Sequence, residues 1–361
     1  MRTHADAGRS LGSMSDLREL LGIRHPIFLG AFGGLSSTAL TAAVSAAGGL
    51  GAYGLYGYDG ERIRSTAAAL REVTDRPFAL NIWLPTGDEV EPGPQYSVFA
   101  QALEPFYAVV GVEIPARPDR YLPTLDEQLE AIWDAAPAVL SVVYGVPSPE
   151  VIDEAHRRDI RVIGTATTVA EAIALEAGGV DAIIASGAEA AGHRVSFLRP
   201  AEDSLVGTFA LVPQVADAVS VPVIAAGGIA DRRGVAAAFA LGASGVQVGT
   251  AFLATQESAA NDAHRRAIRS TAADESVLTK AMSGRLARGV RNRTVRAIEA
   301  GGMIGPFPAQ NWLTGKFRAA AGEQNLGELQ SLWLGQAAPL ARLDNAIEVF
   351  QELVAGLPAR A

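Results

Sequence analysis

The chain has 361 residues, 49% of them hydrophobic and 19% charged, enough apolar material for a large core in one big domain with additions or in two domains. Its formal net charge of -9 lacks the basic field that a phosphate backbone requires, so no nucleic-acid partner is expected. There is no cysteine, which removes disulfides, thiolate metal sites and any cysteine nucleophile, and with them several barrel chemistries.

Residues Met1 to Ser13 carry charge but no apolar stretch of the signal-peptide kind. Later apolar runs are broken by Gly, Pro or charge before they reach membrane-spanning length, so a cytoplasmic protein with no membrane partner is expected. The first strand-like run, Pro26 to Leu29, leads into Leu29-Gly30-Ala31-Phe32-Gly33-Gly34-Leu35-Ser36, a glycine-spaced turn before a helix. Its spacing fails the dinucleotide fingerprint, and no acidic ribose binder stands at the next strand end. The bare backbone around Ala31, Phe32 and Gly33 has room to lie along a planar ring. Gly49 to Tyr53 is the second run and Phe78 to Ile82 the third. The third carries Asn81, read either as a hydrogen-bonding group for such a ring and its ribityl chain or as a turn former. Pro85 to Thr124 follows directly, rich in Pro, Gly, acids and aromatics, and reads as a long loop or small lid at the catalytic face or as a plain surface insertion.

Ala138 to Val143 and Arg161 to Gly164 flank a helix from Pro149 to Arg158, whose apolar residues fall at helical spacing and whose basic residues lie near its end. Thr168 to Gly179 is a capped helix closing on glycine. The sixth run, Ala182 to Ala185, passes through Ser186 into small residues, including Ala191 and Gly192, and ends on His193. Imidazole titrates near neutral pH and small neighbours admit a flat ligand, so one reading is a base presented at a strand's carboxyl end. A hydrogen-bonded loop histidine is the other.

Val223 to Ala226 ends in Gly227-Gly228-Ile229-Ala230-Asp231, with Asp231 as the cap of the following helix. Gly245 to Val248 runs on through Gln247-Val248-Gly249-Thr250. Bare N–H groups at two consecutive strand ends suit an anion, and in barrels a phosphate commonly sits between the loops after strands seven and eight; tight turns use the same glycines. About eight such units match a TIM (β/α)₈ barrel, while an open doubly wound sheet is built from the same parts. The expected fold class is therefore an α/β barrel over residues 14–257, with a lid-like insertion at 85–124 and a subsidiary, mostly helical domain at 258–329. In the last segment, 330–361, a helix from Ser331 to Leu357 returns to the barrel before Pro358.

A phosphate site, a flat-ring surface and a histidine at successive strand ends together suggest a flavin mononucleotide cradle with a base beside it. Several stretches in order resemble the nitronate monooxygenase family, formerly called 2-nitropropane dioxygenases, from Leu20 to about Leu340. They are Gly48 to Gly51, Pro77 to Asn81, Arg161 to Thr168, Ala190 to His193, Val221 to Asp231, Gln247 to Leu253, Ser283 to Gly289 and Trp333 to Gln336. The resemblance implies an FMN-dependent oxidoreductase that converts alkyl nitronates, with nitroalkanes as a further substrate form, and O₂ to a carbonyl compound and nitrite. It implies His193 as the catalytic residue and FMN contacts at Ala31, Phe32, Gly33, Asn81, Ser186, Ala191, Gly192, Gly227, Gly228, Gln247, Val248, Gly249 and Thr250, with no metal. The family has Gln or Glu where Ser186 stands and a second glycine where Ala191 stands, which removes one flavin hydrogen bond and adds a methyl near the ring. The partners expected are a small nitro compound or nitronate and O₂, with a homodimer as the assembly. Competing readings are an FMN-dependent NAD(P)H enoyl-acyl-carrier-protein reductase, a flavin-binding protein without turnover, and a phosphate-substrate lyase or isomerase. Chemistry like that of IMP dehydrogenase needs the cysteine that this chain lacks.

Overall fold

Apolar runs bounded by glycine or proline become short strands buried on both faces, and the helices between them are set by side-chain caps. The computed structural model describes residues 13–87 and 89–359, so the reading of Met1 to Ser13 lies, but for its last residue, outside the described residues. A leading helix α1 (Ser13–Leu21) precedes β1 (Ile27–Leu29), α2 (Thr38–Ala46), β2 (Gly51–Gly54), α3 (Gly60–Val73) and β3 (Phe78–Trp83). The insertion forms two helices, α4 (Tyr96–Ala102) and α5 (Glu104–Val110), before α6 (Leu125–Ala135) and β4 (Val139–Val143). Next come α7 (Pro149–Arg157), β5 (Arg161–Ala166), α8 (Val169–Ala177), β6 (Ala182–Ser186) and a two-residue strand, β7 (Gly192–His193). The ring of units ends with α9 (Thr208–Ala218), β8 (Val223–Ala226), α10 (Arg232–Ala240), β9 (Gly245–Val248) and α11 (Thr250–Leu253).

Eight strands pair in parallel in the order β1-β9-β8-β6-β5-β4-β3-β2. Between the two ends of that order, Leu29 N–H donates to Leu50 O (2.9 Å) and Leu50 N–H to Ile27 O (3.0 Å). These bonds close the sheet into the (β/α)₈ barrel and exclude the open doubly wound alternative. Each of the eight expected runs is a strand of this barrel. The expected caps are also in place: Thr168 accepts from Glu171 N–H, and Asp231 from Arg233 and Gly234 N–H.

Beyond the barrel lie α12 (Asp262–Ser270), the antiparallel pair β10 (Ser276–Thr279) and β11 (Ala287–Val290), α13 (Arg293–Gly301), α14 (Ala309–Glu323) and α15 (Ala346–Val354). Helices take up more of 258–329 than the hairpin does, and the hairpin is an element that the reading of that segment did not include. Its second strand, Ala-Arg-Gly-Val, has the composition of a charged loop, but Arg288 is buried and donates to the Ala188 and Ser276 carbonyls. β7 pairs with β11, so the strand bearing His193 belongs to a small three-stranded sheet. The expected helix from Ser331 to Leu357 is only α15, because Gly335 and Pro339 interrupt the chain before it. α15 does return to the barrel, where Glu352 pairs with Arg232 on α10 at 2.7 Å.

A second apolar core, separate from that of the barrel, joins Leu103, Phe106 and Tyr107 of the insertion to Met282, Leu313 and Phe317. The Phe317 ring lies 5.6 Å from Phe106 and 5.4 Å from Tyr107, whose hydroxyl donates to Leu313 O. No helix among the described residues is long and apolar enough to cross a membrane.

Candidate active site

The carboxyl ends of the barrel strands open into a cavity of about 820 Å³, in the size range of small-molecule and cofactor sites. After β1 the turn is tied by Ser36, whose hydroxyl donates to Phe32 O (2.9 Å) and accepts from Phe32 N–H and Gly54 N–H (3.2 and 3.0 Å). This lays Gly30 to Leu35 along one wall of the cavity. On the facing side, Gly228 and Gly192 each adopt φ of +73°, in the left-handed region that disfavours side chains. A Cβ added at Gly192 would meet nothing within 4 Å, and one at Gly228 only Glu189 at 3.7 Å, so both would project into free space. This is a cradle that side chains would fill, and it fits the close backbone approach that a mononucleotide phosphate and a flat ring require. Thr250 Oγ1 accepts from Gly335 N–H (3.0 Å), and Gln336 N–H donates to Glu189 O (3.0 Å), which seats the Trp333 to Gln336 stretch over the same end. The Glu189 carboxylate accepts from Thr208 N–H and Oγ1 (both 2.9 Å), fixing the loop before His193 to the start of α9.

Deeper in, Asn81 Nδ2 donates to Ser141 Oγ (3.1 Å) and Ser141 O (3.2 Å), and Thr165, Ser186 and Gln247 line the same space. Thus Ala31, Phe32, Gly33, Asn81, Ser186, Ala191, Gly192, His193, Gly227, Gly228, Gln247, Gly249 and Thr250 all border one cavity. Val248 does not. Alternation along β9 turns Gln247 inward and Val248 into the barrel core, where it is fully buried and offers only its carbonyl, which accepts from Gly30 N–H.

His193 is held from several sides. Its Nε2 lies 2.8 Å from Ser283 Oγ, and that hydroxyl donates to Arg285 O (3.1 Å). This contact anchors one ring nitrogen of the imidazole to the Ser283 hydroxyl. The Trp83 ring meets it edge-on at 4.9 Å and Trp333 lies at 5.6 Å. The backbone on either side is equally fixed: buried Arg194 donates to Gly187 O (2.6 Å) and Ser186 O (3.0 Å), while buried Glu171 accepts from Phe197 N–H (2.7 Å). Burial first, then the Arg285 and Arg318 charges, push the imidazole down to about 3, so it is neutral at pH 7.

The two arginines differ. Arg285 pairs with Glu89 at 3.0 Å, donates to Thr86 Oγ1 at 2.6 Å and lies 3.9 Å over the Phe307 ring, strapping the start of the insertion across the barrel mouth. Arg318, on α14, donates to Ser331 Oγ (2.7 Å), Asn311 Oδ1 (2.7 Å) and Asn311 O (3.1 Å), while its buried Nε has no partner. Asn311 in turn donates to the Tyr56 hydroxyl (3.1 Å).

Sequence reasoning did not single out Trp83, Tyr56, Phe307 or Arg318, and it reached Ser283, Arg285 and Trp333 only inside stretches that carry the family resemblance, with no role for each. Two signals were available. Trp83 follows Asn81 at the two-residue strand period, and Asn311, Gly315 and Arg318 share one helical face at steps of four and three.

The family model for nitronate monooxygenase matches residues 14–356. The chain belongs to the nitronate monooxygenase family. It is 37% identical over 345 residues to a probable nitronate monooxygenase of Staphylococcus aureus strain N315, covering 94% of this chain and 96% of that one. Among solved structures it is similar to a nitroalkane oxidase from Streptomyces ansochromogenes, with a TM-score of 0.83 and 36% identity over 94% of this chain and 96% of the other. FabK from Thermotoga maritima is also similar, with a TM-score of 0.73 and 32% identity over 94% of both chains. As a nitronate monooxygenase family member the chain is an oxidoreductase enzyme.

Proposed function

We propose that the protein uses FMN and O₂ to oxidise alkyl nitronates to a carbonyl compound and nitrite. The observation that carries this reading is a neutral imidazole, His193, on the same cavity as the glycine-bare ends of β8 and β9. FMN, when bound, supplies the electron acceptor. Gly228, Gly249 and Thr250 would hold its phosphate, and Ala31 to Gly33 with Asn81 its ring and ribityl chain.

The remaining work is positioning. Trp83 and Trp333 fix the plane of the imidazole, Ser283 anchors its Nε2, and the aromatic wall of Trp83, Tyr56 and Phe307 keeps water from the reacting atoms. A nitronate arrives already deprotonated and needs no base. An imidazole held near 3 is a weak proton acceptor, which favours the nitronate over its neutral parent as the working substrate.

The test is His193→Ala in the purified flavoprotein, assayed for nitrite and acetone from propane-2-nitronate and from 2-nitropropane. The variant is expected to keep its flavin, because the phosphate end lies elsewhere, and to lose turnover of the nitronate, which the imidazole orients, at least as severely as that of neutral 2-nitropropane, for which a base held near 3 gives little help. Wild-type rates on both substrates would make His193 a loop anchor and end this reading. Nicotinamide oxidation with an enoyl thioester, and none of nitronate, would favour the reductase instead.

A further inference from the structure

Arg318 is a half-buried cation on the cavity wall that no carboxylate among the described residues pairs with. Three of its N–H groups donate to Ser331 Oγ, Asn311 Oδ1 and Asn311 O, all neutral acceptors, and its Nε is buried with no partner. Among the described residues no carboxylate forms an ion pair with it, in contrast to Arg285 with Glu89. Burial holds its guanidinium down at about 10, so it stays charged at pH 7. The groups that favour that charge, Tyr56 and Tyr107, are each pushed up to about 12 by burial and are themselves neutral. A charge largely withdrawn from water is retained where it meets an opposite one, and no carboxylate among the described residues supplies that here.

The position of Arg318 narrows what that opposite charge is. It borders the cavity together with His193, Tyr56, Phe307 and Trp333, and its charge acts on the imidazole. The glycine ends of β8 and β9, which suit a phosphate, are formed by other elements. His193 is neutral and carries no positive charge with which to hold an anion. We propose that Arg318 receives the anionic oxygens of the nitronate beside His193 and thereby selects the deprotonated substrate over the neutral nitroalkane. The planar fork of a guanidinium matches two oxygens on one nitrogen. This inference rests on the function proposed above.

The experiment uses the purified flavoprotein and nitrate, a planar oxyanion that cannot be oxidised further at nitrogen. Titration calorimetry of wild type, R318Q and R318K is paired with KM measurements on propane-2-nitronate and 2-nitropropane. R318Q is expected to weaken nitrate binding and raise the nitronate KM by about 10- to 10²-fold, with the KM for 2-nitropropane within about twofold and the flavin retained; R318K recovers part of the loss. Unchanged nitrate affinity in R318Q, parallel rises in both KM values, loss of flavin, or a wild type that does not bind nitrate overturns the assignment. A nitrate-soaked crystal of the wild type decides it without any substitution: nitrate within hydrogen-bond distance of the Arg318 guanidinium supports the site, and nitrate bound elsewhere in the cavity refutes it. If nitrate binds through Arg318 while nitronates are not turned over, the anion site stands and the functional reading falls.

Discussion

His193 refuses a proton at pH values where an ordinary histidine accepts one, because burial and two nearby guanidiniums disfavour the imidazolium. Between about 6.5 and about 3 the unfolded chain therefore binds a proton that the native protein does not. Stability rises with pH across that window, is fully present above it and is lost as pH falls through it. His193→Gln removes this component. The urea midpoint of the wild type should fall more steeply than that of the variant between pH 6.5 and pH 4.5, and parallel slopes would show that the imidazole is not held neutral. His264, also lowered by burial, adds a loss of the same sign in both proteins and cancels in the comparison. His193 was legible in the sequence because its signal is local, a strand followed by small residues. Its partner Ser283 lies 90 residues away, and no local pattern announces a contact at that distance.

In the proposed function the strands and their turns hold the cofactor end. Gly228 combines a left-handed backbone with open space in front of its Cα, so Gly228→Val strains the turn and fills the cradle together. Protein purified with this substitution is expected to have lost most of its flavin while keeping its far-ultraviolet dichroism, and full flavin occupancy would place the phosphate elsewhere. All eight barrel strands could be read from the chain because each is a continuous apolar run stopped by Gly, Pro or a polar turn. β11 could not, since its buried face is an arginine satisfied by carbonyls rather than a hydrophobic side chain. The final helix was read too long for the opposite reason: apolar residues continue through 331–345, but Gly335 and Pro339 divide them into short turns.

At the scale of the molecule, the cavity lies between a barrel and a second packed unit. The insertion after β3 and the segment bearing α14 share one core, and Arg285 strap and Arg318 come from that side while His193 and the glycine ends come from barrel connections. Repeating units were visible in the sequence and their number pointed to a closed barrel, but the meeting of the insertion with α14 was not visible, because it joins segments far apart in the chain. The central claim is that this assembled site passes electrons from a nitronate to FMN without a nicotinamide. Anaerobic addition of propane-2-nitronate to the purified protein tests it most directly, followed by absorbance and by identification of the chromophore released on denaturation. The account predicts reduction of bound FMN by the nitronate alone and reoxidation on admitting air. Flavin that stays oxidised until NADH or NADPH is added, or a colourless protein, would contradict it.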